Sequence, residues 1–249
     1  MISILITGIL PALVLWLYIN WRDPQREPLG KLLKALFWGM AICIPVALVE
    51  EIIATILFAD GESHSVIGGV VNAFFVAAIP EETFKLIALW IVVRHNKAFD
   101  EYFDGITYAV SVGLGFAAFE NILYLFDSED WQIVGIMRAL LAVPGHYAFA
   151  VLMGYYYSLS HFGINRFRNS IMTIAAPVFA HGVYDGILMA SEGVSEDVAA
   201  GVGLVAFVAV VIFSFKLQKN ALRKIKGLID FSRSNSVRLL PKGRKNSHR

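Results

Sequence analysis

One cysteine, Cys43, stands among 249 residues, which excludes an internal disulfide and any cysteine-built zinc cluster. Set in an apolar run, it reads as plain core. Charge is also scarce: 16% of residues are Asp, Glu, Lys or Arg, where a soluble domain carries about 25%. Strand-length segments of alternating polarity, the mark of an outer-membrane barrel, are missing. So are Gly-x-Ser-x-Gly and His-Glu-x-x-His, and no histidine neighbours Cys43 in the sequence. No Ser-His or Cys-His nucleophile arrangement and no soluble zinc-protease signature is left. There is no internal repeat, no low-complexity stretch, no sign of a second domain, and nothing that points to nucleic acid.

What is plentiful is hydrocarbon, with 57% of residues hydrophobic. Taking about 20 apolar residues as one crossing, the chain divides into seven spans, at 2–19, 32–58, 66–93, 105–126, 133–157, 170–189 and 198–215. The first lacks a basic n-region and a small-residue cleavage site, so it reads as a retained anchor rather than a signal peptide. Pro11 within it suggests a kink. The expected fold is an all-α, polytopic membrane bundle of about seven helices in the lipid bilayer.

The connections alternate in charge. Arg22, Arg26, Lys31 and Lys34 fall in the first, Arg94 and Lys97 in the third, Arg166 and Arg168 in the fifth, and eleven more lie between Lys216 and Arg249. The second, fourth and sixth hold Asp60, Glu62, Asp127, Glu129, Asp130, Glu192, Glu196 and Asp197, with no Lys or Arg. The positive-inside rule then puts the N-terminus outside and the C-terminus in the cytoplasm. Residues 1–217 form the transmembrane unit. Residues 218–249 read as a basic cytoplasmic tail, solvated or lying on the anionic inner leaflet.

Against this background a few polar groups sit where hydrocarbon belongs. Ala78-Ile79-Pro80-Glu81-Glu82-Thr83-Phe84-Lys85 lies inside the third span. A buried charge in lipid costs several kcal/mol and needs a partner. Lys85 is i+4 from Glu81 and i+3 from Glu82, within reach of either. One ion pair leaves the second carboxylate unbalanced, which favours function over a merely structural pair. Pro80 removes a backbone donor just before them. Glu120 follows Phe116 in the fourth span and could be a hydrated structural carboxylate. Gly113 and Gly115 upstream would let another helix approach. His146 follows Pro144-Gly145, and Arg138 nearby would snorkel or pair with an acid. His181 and Asp185 share one helical face, so the carboxylate can fix the imidazole tautomer or bind a metal beside it. Glu50 and Glu51, about seven residues from the outer end of their span, read as hydrated structural groups. Asn72 and Asn121 fit either interhelical hydrogen bonding or a site wall.

Two His, three Glu and one Asp at similar depth on four spans suit hydrolysis. Catalytic zinc takes about three N/O ligands and a water, with a further carboxylate as base. Buried Glu, His and Asp also serve proton- or ion-coupled transporters, but the inverted repeats of that class are absent.

Glu-Glu-x-x-Lys at 81–85, Phe-x-x-x-Glu at 116–120 and His-x-x-x-Asp at 181–185, in that order, resemble the PrsW family of intramembrane proteases. So does the block from Phe99 to Tyr108 together with Gly113 to Asn121. The resemblance covers residues 16–215 and is shared more distantly with CAAX prenyl endopeptidases and with bacteriocin-processing or immunity proteins; a non-catalytic immunity or receptor protein is the alternative reading. It implies a protease domain over the transmembrane unit, cutting a membrane-anchored protein such as an anti-sigma factor in a bacterial or archaeal signalling cascade. It also implies Glu81, Glu82, Lys85 and Asp185 as catalytic groups. A divalent metal, zinc, would sit on Glu120, His146 and His181, with Glu81 or Glu82 activating its water. Glu120 stands where the more distant relatives carry His, leaving one imidazole fewer for the metal.

Overall fold

Long apolar stretches with no water to satisfy their backbone must fold as helices, and they do. The computed structural model describes residues 1–58, 63 and 65–239, with the side chains of all of these except 196 and 232–239. In chain order come α1 Ile2–Arg22, α2 Leu29–Leu57, α3 Val66–Val71, a π-helical segment Asn72–Ala78, and α4 Ile79–Val93. Next are α5 Asp104–Asp127, α6 Trp131–Met137, a second π segment Arg138–Ala142, α7 Val143–His161, α8 Arg166–Glu192 and α9 Glu196–Leu239. No strand occurs among the described residues. Among the described residues six stretches are long and apolar enough to cross a membrane: α1, α2, α5, Trp131–His161, α8 and a stretch of α9, Asp197–Phe231. Residues 66–93, expected as one span, are helical throughout but divided by the first π segment.

The helices outrun the expected spans by up to four residues at most ends, because apolar-run counting finds the hydrocarbon part and not the polar turns that continue it. The largest difference is at the C-terminus. The reading of residues 218–249 as a tail gives way, as far as Leu239, to an unbroken continuation of α9. Leu217, Ala221, Ile225 and Leu228 keep one face of it buried against the bundle, and Lys224 lies over the rings of Tyr155 and Tyr156. Asp60 and Glu62 lie outside the described residues, as do Lys242, Arg244, Lys245 and Arg249.

α5 is the axis of the bundle. Every residue from Asp104 to Ala118 is buried, whereas α1, α2 and α9 present rows of exposed Leu, Ile, Val and Phe, the face that suits lipid. Such close packing requires small residues. A Cβ on Gly39 would sit 2.0 Å from the Val112 carbonyl oxygen, and one on Gly115 2.2 Å from that of Leu36, so α2 and α5 touch backbone to backbone. Gly154 gives α7 the same access to Gly105 of α5.

The first, third and fifth connections, the basic ones, gather at one end. There Gln25 donates to Glu101, Tyr108 donates to Glu27, and the Phe99 ring stacks on Phe162 at 5.8 Å. At the other end the second and sixth connections meet, where Gly193 packs on the backbone of Ser65.

Candidate active site

Two proline breaks shape the site. Pro80 is the second residue of α4 and Pro144 the second of α7. A proline has no N–H to donate and its ring crowds the carbonyl four residues back. In both places the chain answers by widening the preceding turn. The Ile79 N–H reaches back five residues to Phe74, and the Val143 N–H reaches back five to Arg138. Each widened turn holds one extra residue and rotates the rest of its helix by about 100°. Glu81 and Glu82 come just after the first break, His146 just after the second.

The sequence-predicted groups converge. Lys85 Nζ bonds Glu81 Oε2 and Glu82 Oε1, both at 2.8 Å, and lies 3.1 Å from His146 Nδ1. It also sits 4.2 Å from the Phe116 ring centroid. His181 Nδ1 is 3.0 Å from Glu82 Oε1 and 3.9 Å from Glu81 Oε2, and its Nε2 is 2.9 Å from Asp185 Oδ2. His146 Nε2 is 3.0 Å from Glu120 Oε2. The two imidazoles stand 5.4 Å apart, edge to face, with Phe149 stacked on His181 at 4.7 Å. Glu81, Glu82, Lys85, His146 and His181 are all buried.

Both histidines have a carboxylate at Nε2; Nδ1 of His181 turns to the double glutamate, and Nδ1 of His146 to Lys85 Nζ. Beside the expected set of Glu120, His146 and His181, the geometry offers a second candidate set. Glu120 faces the far side of the His146 ring and is engaged by Arg138 at 2.5 Å. Among the described residues, Glu81, His146 and His181 each offer one donor atom, and the three lie within 4.8 Å of one another. Two imidazoles and a carboxylate fit a divalent metal with a position left open. The formal charge agrees. With both histidines neutral, Glu81, Glu82, Glu120 and Asp185 outnumber their ion-pair cations Lys85 and Arg138 by two among the described residues, and Glu82 Oε2 is buried without a partner there.

A cavity of about 580 Å³ opens onto this group, walled in part by Glu81, Glu120, His146, His181 and Asp185. Glu81 lines it, whereas Glu82 is fully buried behind it. Sequence reasoning set Glu50 aside, but Glu50 also lines the cavity. It makes no hydrogen bond or ion pair among the described residues, while Glu51 faces outward. Asn72 lines the cavity. Asn121 instead accepts from Arg138 Nε at 2.6 Å and donates to the Gly8 carbonyl.

The profile of the PrsW family of intramembrane metalloproteases matches residues 27–214. The chain belongs to this family. It is 32% identical over 239 residues to Protease PrsW of Geobacillus kaustophilus, covering 95% of this chain and 97% of that one. It is 34% identical over 197 residues to Protease PrsW of Bacillus subtilis, covering 76% and 84%, and 34% identical over 194 residues to that of Clostridioides difficile, covering 76% and 80%. No solved structure matches this chain. The PrsW fold therefore places a protease, metal-dependent by family, in the cytoplasmic membrane as a multi-pass protein. The transporter reading falls with that.

Proposed function

We propose that this PrsW member cuts a peptide bond in a membrane-anchored, single-span protein of the anti-sigma-factor type, with water activated by Glu81. The observation that carries the reading is the meeting of Glu81, His146 and His181 at the wall of a cavity inside the bundle. Charges at that depth are costly unless they serve one another or a substrate.

Glu81 is the cavity-facing carboxylate, so it takes the proton of the attacking water and returns it to the leaving amine nitrogen as the C–N bond breaks. Glu82, behind it, anchors Lys85 and His181. Glu120 and Asp185 hold the far nitrogens of His146 and His181 and set their tautomers. Glu81, His146 and His181 would hold the divalent ion, zinc in the expected case. When bound it lowers the pKa of a coordinated water and polarises the scissile carbonyl. With the basic end of the bundle in the cytoplasm, the N-terminus lies outside.

The test uses full-length protein in nanodiscs with single-span substrates. Glu81→Gln and His181→Ala are expected to abolish cleavage while membrane insertion is retained. Unchanged turnover in both variants overturns the assignment.

A further inference from the structure

We infer that Arg138 is a positioning residue that acts on His146 through Glu120, and that the second π segment exists to bring it there. The inference rests on the proposed role of His146. Arg138 lies eight residues before His146. In an uninterrupted α-helix that separation leaves the two side chains about 80° apart around the axis. The extra residue in the widened turn removes one step, which brings them to within about 20°. Both then reach one acceptor atom: Glu120 Oε2 is 2.5 Å from Arg138 Nη2 and 3.0 Å from His146 Nε2.

The guanidinium is held by two further contacts. Its Nε donates to Asn121 Oδ1 at 2.6 Å, and its plane lies 3.9 Å from the Tyr124 ring centroid. Asn121 is tied in turn to the Gly8 carbonyl of α1. A cation so held is not free to swing onto a substrate carbonyl, although it borders the cavity. Its fixed contact is with the carboxylate that orients the imidazole. Arginine suits this because its planar fork donates in two directions while its face stacks on a ring; lysine offers one point charge. Arg138 thus completes a chain from α1 through Asn121, Arg138 and Glu120 to His146 Nε2.

The experiment is a double-mutant cycle on full-length protein in nanodiscs, reading cleavage of a single-span substrate and binding of Co²⁺ or Zn²⁺ alone. Arg138→Gln is expected to lower kcat and metal affinity about 10- to 100-fold with KM little changed. The same change in a Glu120→Gln background is expected to add no more than about twofold. Methylguanidinium is expected to restore part of the lost kcat in Arg138→Ala. If Arg138→Gln costs as much with Glu120 replaced as without, or raises KM alone, the positioning role is wrong. If Arg138→Gln does not fold, Arg138→Lys decides: loss of kcat and metal affinity at unchanged melting supports the role, and wild-type values overturn it. Cleavage by Glu81→Gln would instead defeat the proposed reaction itself, a separate outcome.

Discussion

Asp185 meets His181 Nε2 at 2.9 Å, one helical turn along α8, and leaves the other ring nitrogen to face the double glutamate. Such a carboxylate fixes a tautomer without touching what the imidazole binds. Asp185→Asn is therefore expected to weaken metal binding and kcat by about 10- to 100-fold, not to abolish them. Metal titration and steady-state kinetics on the same sample check this. A loss as complete as that of His181→Ala would make Asp185 a ligand.

Lys85 is the buried cation shared by Glu81 and Glu82. Lys85→Met leaves two carboxylates uncompensated, and breaking a buried pair in this way costs about 3–5 kcal/mol. Thermal unfolding in detergent should show a large drop. Adding Glu82→Gln should recover part of it, since it removes one orphaned charge.

Glu50 and Glu51 separate cleanly. Glu50 borders the cavity and Glu51 points away from it. Glu50→Gln is expected to change kcat/KM for a single-span substrate several-fold, and Glu51→Gln to leave it at the wild-type value. Equal behaviour of the two variants would remove Glu50 from the cavity's chemistry.

At the basic end, burial pushes the Asp23 carboxyl up to about 6, although Thr107 and the Gln25 N–H bond its charged form. Burial also raises Glu27, against the pull of Tyr108. For a carboxyl raised in the folded state, the folded protein binds the proton more tightly than the unfolded chain does. The stability this gives is complete below about pH 4 and is lost as pH rises through about 6. Melting temperature should fall across that window, and Asp23→Asn should flatten the fall. A steeper fall in the variant would contradict this account.

Gly39→Ala and Gly115→Ala should destabilise strongly, because each new methyl meets backbone at 2.0 or 2.2 Å. Gly201→Ala, with open space around it, should be neutral in the same melting assay.

The site's members are legible in the sequence because ionisable groups in hydrocarbon are conspicuous, and Glu81, Glu82, Lys85, His146, His181 and Asp185 do meet. Depth can be read in this way, but facing cannot. Neighbouring residues point about 100° apart, so which of Glu50 and Glu51 turns inward depends on how α2 is rotated against α5. The same limit explains Glu120: the sequence shows its depth, but not that Arg138 and His146 share its Oε2. Pro80 and Pro144 signal disturbed helices, yet the extra residue in each turn shifts the phase of everything after it, which a period count misses. The continuation of α9 does leave a trace. Leu217, Ala221, Ile225 and Leu228 keep helical spacing, although the lysines among them end the apolar run.

α9 contains 44 residues, about 66 Å at 1.5 Å per residue, roughly twice the hydrocarbon thickness. Phe207, on its membrane part, forms part of the wall of the cavity that Glu81, His146 and His181 border. No break separates that wall from the stretch bearing Lys219, Arg223 and Lys226. The helix is thus a lever: a force tilting its basic end is felt at the cavity wall.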